Sequence, residues 1–175
     1  RRCVEAYGGR AALATSARTR QVGTVTSLLH PEGGGRIGRV YARPGRLRVE
    51  IAFGSAPAEI RVLDGAKGWR DGEVVAGPRL AAMMLQAARL DLPALLDAWI
   101  AKVEDRGTLE LDGKKLRVLA VEPAPGLVVE AAIDPATGRI LRSRGASRDP
   151  AMPLEFTTTY SDFRTVSGVL VPMRE

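Results

Sequence analysis

The stretch from Arg46 to Phe53 constrains the fold more than any other part of the chain. Leu47, Val49, Ile51 and Phe53 alternate with Arg46, Arg48, Glu50 and Ala52. Successive side chains of a strand point to opposite faces, so this spacing predicts a half-buried strand, apolar inside and charged outside. Such a strand needs partners, and turn signals surround it. Pro44-Gly45 precedes it, and Ile60-Arg61-Val62-Leu63 follows, closed by Asp64-Gly65, a strong hairpin signal with Trp69 to Val75 as the returning strand. Upstream, Val22, Thr24 and Thr26 alternate, and Gly33-Gly34-Gly35 leads into Ile37–Ala42.

The same period returns after Asp105. Leu109 and Leu111 run into Asp112-Gly113 and are answered by Leu116 to Val121. Leu127 to Ile133, the turn from Asp134 to Gly138, and Arg139 to Ser143 predict a further hairpin. Leu154, Phe156, Thr158 and Tyr160 alternate on another strand, and Val169 to Met173 forms a last short one.

Two segments break this pattern. Arg2 to Ser16 has helical spacing with Val4, Ala11 and Leu13 apolar, interrupted at Gly8-Gly9 at about 1 kcal/mol per Gly relative to Ala. A two-part helix is expected there. Between Pro78 and Lys102, Leu80, Met83, Met84, Ala87 and Ala88 follow helical spacing. Pro93 then opens a second helix behind Asp91, carrying Leu95, Leu96, Trp99 and Ile100. The expected architecture is mostly β (α+β): one domain over residues 1–175, an antiparallel meander whose bent sheet is covered by the N-terminal helix and the middle pair.

Composition narrows the function classes. Lys and Arg number 26 against 20 Asp and Glu, a net charge of +6, and only Lys67, Lys102, Lys114 and Lys115 are lysines. This Arg bias, with abundant Ala and Gly, reflects codon usage more than a ligand. One cysteine, Cys3, forms no internal disulfide, and with one histidine, His30, it builds no ordinary zinc site. No apolar run approaches the roughly 20 residues that span a bilayer. Sparse aromatics argue against single-strand nucleic-acid stacking. Asp64 and Asp134 sit in turns where Asp serves the backbone, and neither His30 nor Asp162 has a nucleophile motif beside it. Gly33-Gly34-Gly35-Arg36 precedes a strand rather than a helix, so it is no phosphate loop. The expectation is a protein that is not an enzyme, with no catalytic residue, no cofactor and no metal.

Several segments, in order, resemble the bacterial envelope lipoprotein-carrier superfamily of LolA-like and LolB-like domains. They are Tyr7-Gly8-Gly9-Arg10-Ala11-Ala12-Leu13, Tyr41 to Glu50 around Pro44-Gly45, and Asp64-Gly65-Ala66-Lys67-Gly68-Trp69. Ile133-Asp134-Pro135-Ala136-Thr137-Gly138-Arg139-Ile140 and Tyr160-Ser161-Asp162-Phe163-Arg164 through Pro172 complete the set. The resemblance implies an incomplete antiparallel β-barrel of about ten or eleven strands, with helices as a lid over an apolar cavity. It implies a periplasmic or cell-envelope location, export by a signal segment that precedes this chain, and transport of lipid or acylated protein cargo. Donor and acceptor envelope proteins and transient membrane contact follow as partners, with no nucleic acid.

On that reading the cavity is lined by Leu47, Val49, Ile51, Phe53 and Val62 from the sheet. Leu80, Met83, Met84, Leu85, Leu95, Leu96, Trp99 and Ile100 line it from the helices. Methionine suits irregular apolar cargo because it is unbranched and polarizable. The same residues equally describe a filled core, and Trp69 reads as either a cross-strand packing residue or a rim contact for cargo. Arg142 and Arg144 share one strand face and suit phosphate headgroups or an acidic partner. An envelope interaction, sensor or assembly module with a filled core is the alternative function.

Overall fold

The alternation at Arg46–Phe53 becomes the third strand of a six-stranded antiparallel meander in the computed structural model, which describes residues 1–31 and 33–175. Strands β1 (Arg18–Val25), β2 (Gly35–Ala42), β3 (Arg46–Phe53), β4 (Glu59–Asp64), β5 (Lys67–Arg70) and β6 (Glu73–Val75) pair in chain order. A second sheet has the order β11-β10-β9-β8-β7, from β7 (Glu104–Leu111), β8 (Lys114–Ala124), β9 (Leu127–Ile133), β10 (Ile140–Ser147) and β11 (Glu155–Thr159). Strands β12 (Ser161–Val166) and β13 (Val169–Arg174) form a separate hairpin.

The chain is thus mostly β and antiparallel, as its alternation implies. The expected strand count is corrected: the described residues form thirteen strands in three sheets, and none of the sheets closes. Two tight turns account for part of the difference. Asp71-Gly72 divides the expected strand Trp69–Val75 into β5 and β6, with φ of 51° and 88°, and Ser167-Gly168, at 49° and 82°, joins β12 to β13. Both pairs hold the positive φ that a primed hairpin turn requires. Strand β12 escapes the sequence reading because Asp162, Arg164 and Thr165 give it no apolar face.

The helices are α1 (Arg2–Ala6), α2 (Gly9–Thr15), α3 (Gly77–Leu90) and α4 (Leu92–Ala98), followed by a 3₁₀ turn at Ile100–Lys102. Gly8 separates α1 from α2 at φ 100°, and a Cβ there would stand 2.1 Å from the Gly168 carbonyl oxygen. Only glycine satisfies both conditions. None of the described helices is long and apolar enough to cross a membrane.

Contacts gather into two compact units. The first contains residues 1–16 and 88–175, the second residues 17–87. In the first, Leu116, Val121 and Val129 are closed off from solvent, and the Arg10 guanidinium grips Asp97 of α4 at 2.8 Å. In the second, Leu47, Val49 and Leu63 are buried on one sheet face. There α3 approaches β5 so closely that a Cβ on Gly68 would meet Leu80 and Val75 at 3.0 Å and Met83 at 3.4 Å.

Candidate functional site

The register of the six-stranded sheet decides which side chains share a face. Leu47 pairs with Leu63, and Val49 with Arg61, whereas Arg48 pairs with Val62. Val62 in turn pairs with Trp69, and Trp69 with Val74. Val62 therefore stands on the face opposite Leu47 and Val49, which corrects its expected place in their lining. A run of four residues such as Ile60–Leu63 does not reveal which pair faces inward until its partner strand fixes the register.

On Val62's face the sheet carries an open concavity of 520 Å³, lined by Arg48, Ile60, Val62, Trp69, Asp71 and Gly72. Its floor is Ile60, Val62 and Trp69, all half-buried. Asp71 fixes one end: its carboxylate accepts the Ile60 N–H at 2.7 Å, and its own N–H donates to the Ile60 carbonyl at 2.8 Å. Arg48 stands at the margin, 3.4 Å from Glu50 and half open to water. An exposed pair of this kind contributes about 1 kcal/mol or less, so the guanidinium is free to turn to another anion. On the opposite face Glu59 binds both Arg61 and Arg70. That cluster keeps its charges paired, and Arg70 also lies 3.8 Å from the groove residue Asp71.

The other expected lining residues are spread over both units. In residues 17–87, Leu47, Val49, Met83 and Leu85 are buried, Leu85 and Val49 completely, while Ile51, Phe53, Leu80 and Met84 are half-buried. Phe53 stacks on His30, with ring centroids 4.0 Å apart. In the first unit Leu96 is buried, Leu95 and Trp99 are half-buried, and Ile100 is exposed. Leu80 and Met83 pack against the Cβ-less strip at Gly68, which is the behaviour of a filled core.

Arg142 and Arg144 share a strand face, as their spacing implies. Arg144 is engaged from within. It holds Glu155 bidentately at 2.7 and 2.8 Å and reaches Glu130 at 3.4 Å. The Glu155 hydrogen bonds hold the Arg144 pKa above its ordinary value, and those from Arg144 pull the Glu155 carboxyl down. Within the sheet, the Arg144 charge is matched by two carboxylates.

A partly buried polar network in the first unit was not legible in the sequence. The Ser143 and Tyr160 hydroxyls lie 2.7 Å apart, and Arg89 donates to the Tyr160 oxygen at 3.3 Å and to the Glu175 carboxylate at 3.0 Å. Burial pulls the Arg89 pKa down, and Tyr160 and Glu175 more than offset it, so the net direction is upward. A fixed cation on a tyrosine hydroxyl ties the C-terminal strands to the end of α3 and supplies no nucleophile with a base. Among the described residues no three His, Cys, Asp or Glu side chains come together to hold a metal.

Sequence reasoning missed Arg48, Ile60, Asp71 and Gly72 as groove residues. The one available signal was Asp71-Gly72, a hairpin dipeptide of the same kind as Asp64-Gly65. Neither a scan of protein-family models nor a search of curated proteins finds a match to this chain.

Proposed function

We propose that the chain is a non-enzymatic binder of a single-chain amphiphile, a fatty acid or a lipid acyl chain, held in the open groove over Val62 and Trp69. The observation that carries this reading is the apolar floor of Ile60, Val62 and Trp69, left open on one sheet face with the Arg48 guanidinium at its margin. Each methylene taken from water contributes about 0.8 kcal/mol, and the cation selects an anionic head. An open groove gives up part of that gain to water, which suits a ligand that must be released. In this reading the chain serves as a lipid carrier of the bacterial cell envelope, as its LolA-like resemblance implies. The site then lies on the sheet face and not under a helical lid.

A second reading, the protein-interaction module with a filled core, is favoured by the close packing of Leu80 and Met83 on Gly68. One experiment separates the two. Trp69 and Trp99 are the two tryptophans, so Trp99→Phe leaves Trp69 as the reporter. Saturable change in Trp69 emission on titration with a fatty acid, lost in Val62→Asp, supports the amphiphile reading. No change, with no adduct in native mass spectrometry, overturns it in favour of the interaction module.

A further inference from the structure

We propose that the whole solvent face of the six-stranded sheet is a docking surface for an anionic lipid bilayer. The register lays one row straight across all six strands: Arg20, Val40, Arg48, Val62, Trp69 and Val74. Two cations, three valines and an indole thus share one line. Val74 is 77% exposed, and Val40 and Val22 on the same face are 48% and 65% exposed. Side chains of this kind are costly on a surface that meets only water when they gather into one patch.

The charge on this face complements a bilayer. Arg18, Arg20, Arg36, Arg46, Arg48 and Lys67 project from it, against Glu50, Asp64 and the turn residue Asp71. Apart from Arg48, none of these cations has an ion pair among the described residues. The asymmetry extends to the unit: residues 17–87 hold eleven Lys and Arg against six Asp and Glu, and the remaining residues hold fifteen against fourteen. The unit that carries this face thus holds five of the chain's six net positive charges, and the residues named on the face account for three of them.

Interleaving decides the partner class. Single-stranded nucleic acid is bound on several stacking aromatics, and this face has only Trp69. A phosphate backbone gives exposed valines nothing to contact. At a bilayer surface the two residue types have separate roles. Cations meet lipid phosphates, while Val74, Val40 and the Trp69 indole reach below them, where tryptophan concentrates in membrane proteins. The proposal does not require the groove to hold a ligand. If both hold, the ligand enters from the surface on which the face rests.

The test is co-sedimentation of the full chain with vesicles of phosphatidylcholine alone and of phosphatidylcholine mixed with phosphatidylglycerol. Binding to the mixed vesicles is expected, weakened by salt, with little binding to phosphatidylcholine. Two surface cations near an anionic bilayer each contribute enough that Arg20→Glu with Arg46→Glu lowers the partition coefficient by about tenfold or more. Equal binding to both vesicle types, or no binding, overturns the proposal from the unsubstituted chain alone. Unchanged partition of the double variant overturns it as well. So does preferential capture of a single-stranded oligonucleotide, which moves the face to the nucleic-acid class. Fatty-acid titration of the same samples keeps the two readings apart. Vesicle binding without a Trp69 response sinks only the groove, and a Trp69 response without vesicle binding sinks only the docking face.

Discussion

Strands β9 and β3 are built on different principles, and they sit in different units of the molecule. In β9, Leu127, Val128, Val129, Ala131, Ala132 and Ile133 are all buried, so both of its faces are covered. In β3 burial alternates: Leu47 and Val49 are closed off, while Arg46, Arg48 and Glu50 stand in water. A strand covered on both faces reads as a continuous apolar run, and one with a free face alternates. The difference teaches where solvent reaches the sheets. The sheet of residues 17–87 leaves one face of β3 open to water, while the sheet containing β9 places that strand entirely in core. Charge follows the same division, being nearly balanced in the first unit and strongly positive in the second.

The largest expected effect breaks this comparison most directly. Val129 is 1% exposed, and Val129→Asp places a carboxylate in core at a cost of about 4 kcal/mol or more, whereas Val74→Asp on the open face stays within about 0.5 kcal/mol. Urea denaturation of the two variants measures this, and similar losses would show that Val74 is covered in solution. Glycines sharpen the contrast next. Gly8→Ala meets both a positive φ and the Gly168 carbonyl, and is expected to lose about 2–4 kcal/mol. Gly38 in β2 has open space around its Cβ position and no positive φ, so Gly38→Ala is neutral or gains up to about 1 kcal/mol. Thermal melts decide between these outcomes, and a tolerated Gly8→Ala would contradict the tight approach of α1 and α2 to the β12–β13 turn.

The effect confined to the narrowest range of conditions is a dependence on pH. Burial pushes the Cys3 thiol up to about 11 and raises the Tyr7 phenol as well. Both groups are held neutral in the folded chain. Their folded pKa values lie above the unfolded ones, so their contribution is complete below pH 9.0 for the thiol and is lost as pH rises toward about 11. Unfolding free energy should therefore decline across that window, less steeply in Cys3→Ala. An identical decline in the variant would assign the loss to Tyr7 or to groups elsewhere.

Much of the fold was legible because it is written in local pattern. Leu127 to Ile133 is strand β9 with the ends its apolar run implies, and Asp64-Gly65 and Asp112-Gly113 are hairpin turns where the dipeptides stand. Asp91 and Pro93 open α4 where the sequence places them, although Asp91 caps through its backbone carbonyl and not through its side chain. The groove was not legible in the same way. Trp69 and Val62 are seven residues apart, and only the β4–β5 register sets them opposite each other. Arg144 shows the same limit, since Glu130 and Glu155 approach it from two other strands.

The sequence by itself therefore determined the period of each element, the places where the chain turns, and the excess of arginine. Those are properties of neighbours along the chain, governed by backbone dihedrals and side-chain spacing. Tertiary structure alone decided which face each apolar residue serves, which arginines are matched by carboxylates, and that Ile60, Val62 and Trp69 form one floor. A strand pairs through backbone hydrogen bonds that any residue can make. A shift of one residue exchanges its faces without changing the sequence pattern that made it a strand.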